Sequence, residues 1–306
     1  MTACRVCNSK IEPFMTFGKM PIANGFLTVN QIPSEFFFEL APSFCGECGM
    51  VQLIDQPEPE KMFHENYAFF SSTSNHMKVH FKAFSDYIVD CHFKNRKDPF
   101  VVELGSNDGI MLQNFKDANV KHLGVEPSVN VADVARKRGV HTISAFFNLE
   151  LAKQIVEKYG HADAVLSANV MCHIPNINSV AEGIAYLLKD DGVLVFEDPY
   201  LGDVITKTSY DQFYDEHVFL FSATSVSVAF GRHGLELIDT LPQVTHGGSM
   251  RYVLAPKASH EVSKNVDVIF EKEKAQGLDK IETYYAFKEK CEKSRRDLVS
   301  LLNKLK

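Results

Sequence analysis

The sequence predicts an α/β protein with a mostly parallel, Rossmann-like sheet, an N-terminal metal-binding domain and a C-terminal helical segment. Between residues 99 and 256, short apolar runs alternate with stretches of helical periodicity, a pattern typical of a parallel sheet with helices on both faces. Two C-x-x-C pairs precede this region, and a charged segment follows it. We therefore expect a zinc-binding domain over 1–56, a lid and helix over 57–98, a ligand-binding α/β domain over 99–256, and a helical segment over 257–306.

The composition is that of an ordinary globular protein. The 306 residues are 45% hydrophobic and 23% charged, with a formal net charge of −7. This acidic balance argues against nucleic acid as a partner. No apolar run is long enough to span a membrane, so no membrane partner is expected. The N-terminal residues are polar and unlike a signal peptide, and the seven cysteines then indicate a reducing cytoplasm.

Cys4, Cys7, Cys45 and Cys48 form two C-x-x-C pairs, separated by residues 8–44. Two such pairs place four thiolates tetrahedrally around zinc, and the glycines that flank Cys48 allow a tight turn. Because four protein ligands leave no open coordination position, we expect a structural rather than a catalytic zinc ion. A redox-active C-x-x-C is the alternative, but neither pair precedes a helix in a βαβ context.

The stretch Val101–Gly109 organises the α/β domain. Val101–Leu104 is typical of a short buried parallel strand, and Gly105–Gly109 of a tight turn that opens a helix. The G-x-G-x-x-G and Gly-Lys-Ser/Thr signatures of dinucleotide and phosphate loops are absent. The acidic side chains of Glu103 and Asp108 favour a cationic or neutral ligand over a pyrophosphate. A glycine-rich turn without a ligand is the alternative.

Further strands are predicted at 122–126, 140–145, 163–169 and 193–197. Ligands of such sheets bind outside the carboxyl ends of the strands. Glu126 ends the second strand, where an acid accepts hydrogen bonds from both hydroxyls of a ribose, and a solvated glutamate is the alternative. The cofactor-binding residues expected at these strand ends are Glu103, Gly105, Asn107, Asp108, Gly109, Glu126 and Asn169.

Two segments outside the strands carry further polar and aromatic side chains. Tyr67 precedes a predicted helix over 75–93, whose apolar residues recur at helical spacing. An insertion over 199–222 follows the fifth strand and contains Tyr214-Asp215-Glu216-His217. Because this insertion follows a strand end, we expect it to overhang the ligand edge. Closing strands are predicted at 235–238 and 250–254, and a helix broken near Gly277 is predicted after them.

Six signatures occur in order along the chain: C-x-x-C…C-x-x-C-G, the Tyr67 segment, E-L-G-S-N-D-G, N-V-M-C-H-I-P, Y-D-E-H and H-G-G. Over essentially the whole chain they resemble the zinc-containing sugar C-methyltransferases, tetronitrose methyltransferase-like enzymes that methylate carbon 3 of nucleotide-linked keto-deoxysugars. The resemblance implies an S-adenosylmethionine (SAM)-methyltransferase fold, with SAM and structural zinc as cofactors. Members of this family continue into a further α/β domain, to which segment 257–306 is expected to lead. A monomer is expected.

The resemblance implies that Tyr214, Glu216 and His217 occupy active-site positions of the family. It also implies that His173 and Tyr67 occupy neighbouring positions. It implies a nucleotide-linked keto-sugar substrate that is methylated next to its ketone. His217 is the expected base, because an unperturbed imidazole titrates near the working pH, at about 6.5. Glu216 is expected to orient His217 or to bind a polar substituent of the sugar. Tyr214 and His173 are candidate donors to the enolate oxygen.

Two alternatives remain open at this point. SAM motifs do not distinguish acceptors, so an O- or N-methyltransferase on the same fold fits them equally. A zinc-ribbon interaction module with a non-catalytic SAM-binding domain is the second alternative. Against it, a binding module has no need for the sequence Tyr-Asp-Glu-His at a ligand edge.

Overall fold

The computed structural model describes residues 2–65 and 67–306. The strands are β1 Thr2–Ala3, β2 Lys10–Ile11, β3 Lys19–Pro21, β4 Phe37–Glu39, β5 Pro42–Phe44, β6 Val51–Leu53, β7 Phe100–Leu104, β8 Lys121–Val125, β9 Thr142–Ile143, β10 Ala162–Ala168, β11 Leu188–Pro199, β12 Phe219–Leu220, β13 Leu235–Gln243 and β14 Ser249–Pro256. The α-helices are α1 Pro59–Met62, α2 Asn75–Ile88, α3 Leu112–Asp117, α4 Val129–Lys137, α5 Leu149–Tyr159, α6 Ile177–Leu187, α7 Leu201–Lys207, α8 Ala223–Gly231, α9 Lys264–Gln276 and α10 Ile281–Leu305.

A seven-stranded sheet with the order β13-β14-β11-β10-β7-β8-β9 forms the centre of the molecule. Strands β11, β10, β7, β8 and β9 are parallel, and β14 runs antiparallel to both of its neighbours. All residues of β7 are buried, as expected for a strand covered on both faces. The chain passes from β7 to β8 and β9 on one side and then to β10 on the other. The strand order therefore reverses beside β7, where open α/β sheets bind ligands, and the predicted fold class is confirmed.

Some predicted elements differ from the structure in length. The third strand, predicted at 140–145, is only Thr142–Ile143. The fifth strand, predicted at 193–197, spans Leu188–Pro199, because it pairs with both β10 and β14. The helix predicted over 75–93 is α-helical to Ile88 and ends in a π-helical turn, Val89–Phe93. Ser74 begins this helix, since its hydroxyl accepts a hydrogen bond from the N–H of Met77.

A shared sheet joins the N-terminal region to the insertion 199–222. Strands β5 and β6 pair antiparallel, and β12, which lies at the end of the insertion, adds to β6. Phe219 is opposite Gln52 in this pairing, and Leu220 is opposite Val51. Backbone hydrogen bonds of the cysteine-bearing region therefore fix the far end of the insertion.

One buried carboxylate helps to hold helix α9 on the α/β domain. Helix α9 ends at Gly277, whose φ of 68° is the left-handed conformation typical of a helix stop. Glu273 in α9 accepts hydrogen bonds from the N–H groups of Ala223 and Thr224, at 2.6 and 2.9 Å. These groups lie in the first turn of α8, where the helix dipole favours negative charge. The last turns of α10 expose Leu298, Leu301, Leu302 and Leu305.

None of the helices in the described part of the chain is both long and apolar enough to cross a membrane.

Candidate active site

The four cysteines of the two C-x-x-C pairs converge on one point. Their sulfur atoms all lie within 4.8 Å of one another, with 3.5 Å between Cys4 and Cys48 and 3.5 Å between Cys7 and Cys45. Sulfur ligands of a tetrahedral zinc ion, with Zn–S bonds of about 2.3 Å, are separated by about 3.8 Å. The donor set therefore fits zinc, and it leaves no open coordination position. A metal held in this way stabilises the fold and takes no part in chemistry.

A cavity of about 390 Å³ lies at the carboxyl ends of the central strands. Nine of the twelve residues expected to bind cofactor or substrate line it: Gly105, Asn107, Glu126 and Asn169 from the strand ends, and Tyr67, His173, Tyr214, Glu216 and His217 from the lid, the fourth-strand loop and the insertion. The structure therefore brings the two expected groups of residues into one space. Glu103, Asp108 and Gly109 are not among the residues that line this cavity.

The carboxylate of Glu126 is fixed by two backbone N–H groups. Asn107 donates to Oε2 over 2.9 Å, and Ser128 donates to Oε1 over 2.8 Å. Burial raises the pKa of Glu126, and these two hydrogen bonds oppose the shift. Each oxygen keeps a further lone pair, so the group is a rigid acceptor at the cavity wall.

The backbone at the end of β7 needs a residue without a side chain. Gly105 has a φ of +65°, and a Cβ atom added to it would lie 2.3 Å from Cγ2 of Val170. Asn169 also has a positive φ, of 56°, and its N–H donates to the carbonyl of Glu197 over 2.7 Å. Together these turns bring the backbone of the β7 and β10 ends to the wall of the cavity.

The side chains of Asn107 and Asp108 form hydrogen bonds with residues 69–72 of the lid. The Asn107 side chain accepts from the N–H of Ser71 at 3.0 Å and donates to the carbonyl of Phe69 at 3.1 Å. Asp108 accepts hydrogen bonds from the hydroxyl and the N–H of Ser72. The glycine-rich loop therefore lines the cavity and also holds the segment 69–72, whose Phe69 and Ser71 line the same cavity.

Glu103 and Gly109 lie behind the cavity wall. Burial raises the pKa of Glu103 well above its usual range, with Glu126 and Asp108 adding to the shift. Its Oε2 has no hydrogen-bond partner in the described chain. A Cβ atom on Gly109 would lie 3.2 Å from Cβ of Ala135, so this glycine allows the loop to pack closely against α4.

His217 and Tyr214 form a hydrogen-bonded pair in the wall of the cavity. Nδ1 of His217 lies 2.9 Å from the carbonyl oxygen of Gln212, and Nε2 lies 3.1 Å from the hydroxyl of Tyr214. Because a carbonyl only accepts, Nδ1 carries the proton and Nε2 accepts from Tyr214. Burial lowers the pKa of His217 to about 4. The expectation of an unperturbed imidazole was therefore wrong: the ring is neutral, and its basic nitrogen faces Tyr214.

His173 stacks on His217, with ring centroids 5.3 Å apart. Its other face stacks on Phe63, at 5.6 Å. Burial lowers the pKa of His173 well below its usual range, and its Nε2 has no hydrogen-bond partner among the described residues. This nitrogen is available to a ligand.

Glu216 is held by residues distant in sequence. Asn24 donates from its side-chain amide to Oε1 over 2.6 Å, and the hydroxyl of Tyr67 donates to Oε2 over 3.3 Å. The backbone N–H of Ala23 also donates to Asp215, at 3.2 Å. Burial raises the pKa of Glu216, and the hydrogen bond from Asn24 opposes this shift. Glu216 does not orient His217, because the carbonyl of Gln212 has that role.

Sequence reasoning missed several residues of this cavity. The cavity is also lined by Asn24, Phe63, Val170 and His246. Val170 packs directly against Gly105. The H-G-G signature was a signal for His246, which adopts a positive φ of 52° between Thr245 and Gly247. No local pattern marks Asn24, since its contact with Glu216 joins residues 192 positions apart.

Three family models match successive parts of the chain. A zinc binding domain matches residues 4–63, a methyltransferase domain matches residues 77–240, and a C-methyltransferase C-terminal domain matches residues 244–306. The C-methyltransferase NovU of Streptomyces niveus is 32% identical over 302 residues, which cover 98% of this chain and 71% of that protein. The protein belongs to the SAM-dependent C-methyltransferases. SAM and structural zinc are its cofactors, and the family expected from the ordered signatures is confirmed.

The chain is also similar, at lower identity, to solved structures. The PH0226 protein of Pyrococcus horikoshii OT3 has a TM-score of 0.47 at 14% identity, over 62% of this chain and 95% of that chain. Magnesium protoporphyrin IX methyltransferase from Synechocystis PCC 6803, with bound SAH, has a TM-score of 0.45 at 15% identity, over 58% of this chain and 82% of that chain.

Proposed function

We propose that this C-methyltransferase methylates a nucleotide-linked keto-deoxysugar at the carbon next to its ketone, carbon 3 of a 4-keto sugar. The ordered resemblance to sugar C-methyltransferases supports this acceptor. The observation that supports this reaction most directly is the hydrogen-bonded pair His217–Tyr214, which lines the same cavity as Glu126. A carbon acid next to a ketone needs a base for its α-proton and a donor for the enolate oxygen.

SAM, when bound, supplies a methyl group on a sulfonium ion. The residues that would hold it are Gly105, Glu126 and Asn169, at the reversal point of the sheet. The fit rests on the rigid acceptor of Glu126, whose remaining lone pairs suit the hydroxyls of a ribose, and on the close backbone approach at Gly105. Asn107 contributes its backbone N–H to Glu126 and its side chain to the lid.

His217 takes the α-proton at Nε2. Because Nδ1–H donates to the carbonyl of Gln212, the ring is held in the tautomer whose basic nitrogen lies on the cavity side. In the resting site this nitrogen accepts the hydroxyl proton of Tyr214 in a hydrogen bond. Once Nε2 is protonated it becomes a donor to the Tyr214 oxygen. The Tyr214 hydroxyl is then released to donate to the enolate oxygen, so one proton transfer supplies both requirements of the reaction.

His173 and Glu216 have binding roles in this proposal. His173 is neutral, and its unpartnered Nε2 offers a second contact to the oxygen of the substrate. Glu216 presents a carboxylate fixed by Asn24 and Tyr67, which suits a polar substituent of the sugar.

The test is solvent exchange of the α-proton, measured with a panel of nucleotide-linked keto-sugars and followed by the mass gain of one methyl group when SAM is added. His217→Asn keeps a similar shape but supplies no basic nitrogen. It should lower turnover by about 10²–10⁴-fold and suppress exchange, with SAM affinity unchanged.

His173→Asn is the comparison variant, because this ring stacks directly on His217 but has a binding role and is not the base in this proposal. If His173→Asn stops exchange while His217→Asn does not, the two roles are reversed. Methylation of every accepted sugar without exchange of its α-proton would instead indicate transfer to oxygen or nitrogen.

A further inference from the structure

A second group of soft donor atoms lies inside the candidate active site. One donor atom each from Cys172, His173 and His217 lie within 4.8 Å of one another. Cys172 and His173 are adjacent in the 3-10 turn Met171–His173, at the end of β10. One thiolate and two imidazoles match the ligand types of zinc sites that have three protein ligands and one open position.

Each of the two imidazoles has a nitrogen atom that can bind a metal ion. The carbonyl of Gln212 holds Nδ1–H of His217 at 2.9 Å, the arrangement that usually orients a metal-binding histidine and leaves Nε2 for the ion. His173 keeps a buried Nε2 without a hydrogen-bond partner in the described chain. An unpartnered buried nitrogen is costly, and a ligand that it can bind offsets that cost.

A buried carboxyl group lies beside Cys172. Cys172 is completely buried, and its N–H donates to Oδ2 of Asp198 over 3.3 Å. Asp198 is also completely buried, and its Oδ1 has no hydrogen-bond partner among the described residues. A divalent ion bound to the thiolate would place positive charge beside this carboxyl group, in a region where water does not screen charge.

We infer that Cys172, His173 and His217 form a second zinc site, weaker than the four-cysteine site, and that its occupation inhibits the enzyme. On binding, the Cys172 thiol releases its proton to solvent and Nε2 of His217 binds the ion in place of the Tyr214 hydroxyl. The inhibitory effect rests on the proposed role of His217 as base. The binding itself does not depend on that role.

Binding is tested with Co²⁺, a spectroscopic substitute for Zn²⁺, added to full-length reduced protein that retains its structural zinc. We expect one further metal ion per chain and a thiolate-to-cobalt absorption band. Cys172→Ser and His173→Asn each remove a metal ligand. Each should weaken binding by more than is usual for losing a residue that only orients a ligand, which is about 10–100-fold. Retained structural zinc and SAM binding show that each variant is folded.

Cys91→Ser is the matched control, because Cys91 is an exposed cysteine outside the cluster. It should bind the second ion as the unmodified protein does. The proposal is overturned if the unmodified protein takes up no further metal, if the band persists in both Cys172→Ser and His173→Asn, or if it is lost in Cys91→Ser.

Inhibition is tested separately, with Zn²⁺ added to the methylation assay and then removed by a chelator too weak to strip the four-cysteine site. Turnover should fall as the second ion binds and recover on its removal, and each variant is compared with its own rate without added zinc. Binding of the ion with full turnover would support the metal site and contradict the assignment of His217 as base.

Discussion

The side-chain amide of Asn24 donates a 2.6 Å hydrogen bond to Glu216, across 192 positions of the chain. Asn24 belongs to the region that follows the first zinc-binding pair, whereas Glu216 lies in the insertion after the fifth predicted strand. The N–H of Ala23 makes a parallel contact with Asp215. The N-terminal region therefore contributes directly to the wall of the candidate active site.

Asn24→Ala should lower turnover about 10–150-fold, because a charge-assisted hydrogen bond of this kind contributes about 1.5–3 kcal/mol. The affinity for SAM, measured by titration calorimetry, should not change, since in our proposal Asn24 and Glu216 belong to the substrate end of the cavity. Asn30→Ala, on the exposed part of the same segment, is the control and should behave as the unmodified protein. A loss of SAM affinity in Asn24→Ala would contradict the substrate-end placement.

Cys45→Ser should remove one of the four zinc ligands and loosen the N-terminal region. We expect turnover to fall, because Asn24 then no longer holds Glu216, while SAM still binds to the α/β domain. Zinc content by elemental analysis and limited proteolysis of the N-terminal region provide the measurements. Freshly purified reduced protein should contain about one zinc ion per chain, and its absence would refute the structural site.

Glu126→Gln and Glu103→Gln should differ sharply, although both acids lie at strand ends. Two backbone N–H groups fix the Glu126 carboxylate at the cavity wall as an acceptor, so its replacement should weaken SAM binding by roughly 1–3 kcal/mol. Glu103 lies behind the wall, and burial favours its neutral form. Glutamine resembles that form, and Glu103→Gln should bind SAM as the unmodified protein does. Equal losses in the two variants would contradict this separation.

The acid limb of kcat/KM should lie near pH 4 rather than near pH 6.5. The base must be neutral, and burial disfavours the charged imidazolium of His217, which lowers its pKa to about 4. The rate constant should therefore stay level as the pH falls from 7 toward 5. An acid limb centred near pH 6.5 would show that the base is not buried His217.

Folding must be followed in the same pH series. In the unfolded chain, His217 takes up a proton from about pH 6.5 downward. In the folded chain, the same imidazole stays neutral until about pH 4. Unfolding therefore becomes easier through that window. Circular dichroism at each pH separates this loss of stability from titration of the base.

The sequence predicted the strand ends of the site better than the directions of individual side chains. Gly105 and Glu126 follow from the rule that ligands bind at the carboxyl ends of parallel strands, and both line the cavity. Glu103 and Gly109 belong to the same motif but lie behind the wall, because strand alternation and loop packing decide the side on which each residue falls. A motif gives the spacing of residues and leaves these directions open.

The environment of His217 could not be predicted for a different reason. Its lowered pKa and its tautomer depend on burial and on the carbonyl of Gln212, and neither is encoded in Tyr-Asp-Glu-His. The contact of Asn24 with Glu216 arises from the docking of the N-terminal region on the insertion. Such a contact between distant residues cannot be predicted from the local periodicity of the sequence. The domain boundaries drawn from the sequence remain predictions.

Hydrogen bonds join Asn107 and Asp108 to Phe69, Ser71 and Ser72. They link two quantities thermodynamically: the order of the lid and the affinity of the cavity for its ligand. Phe69 and Ser71 line the cavity from the lid side, and Asn107 lines it from the loop side. A ligand that touches both walls binds best when the lid is already ordered. By reciprocity, any factor that orders the lid raises the affinity for that ligand by the same ratio in which the ligand favours the ordered lid.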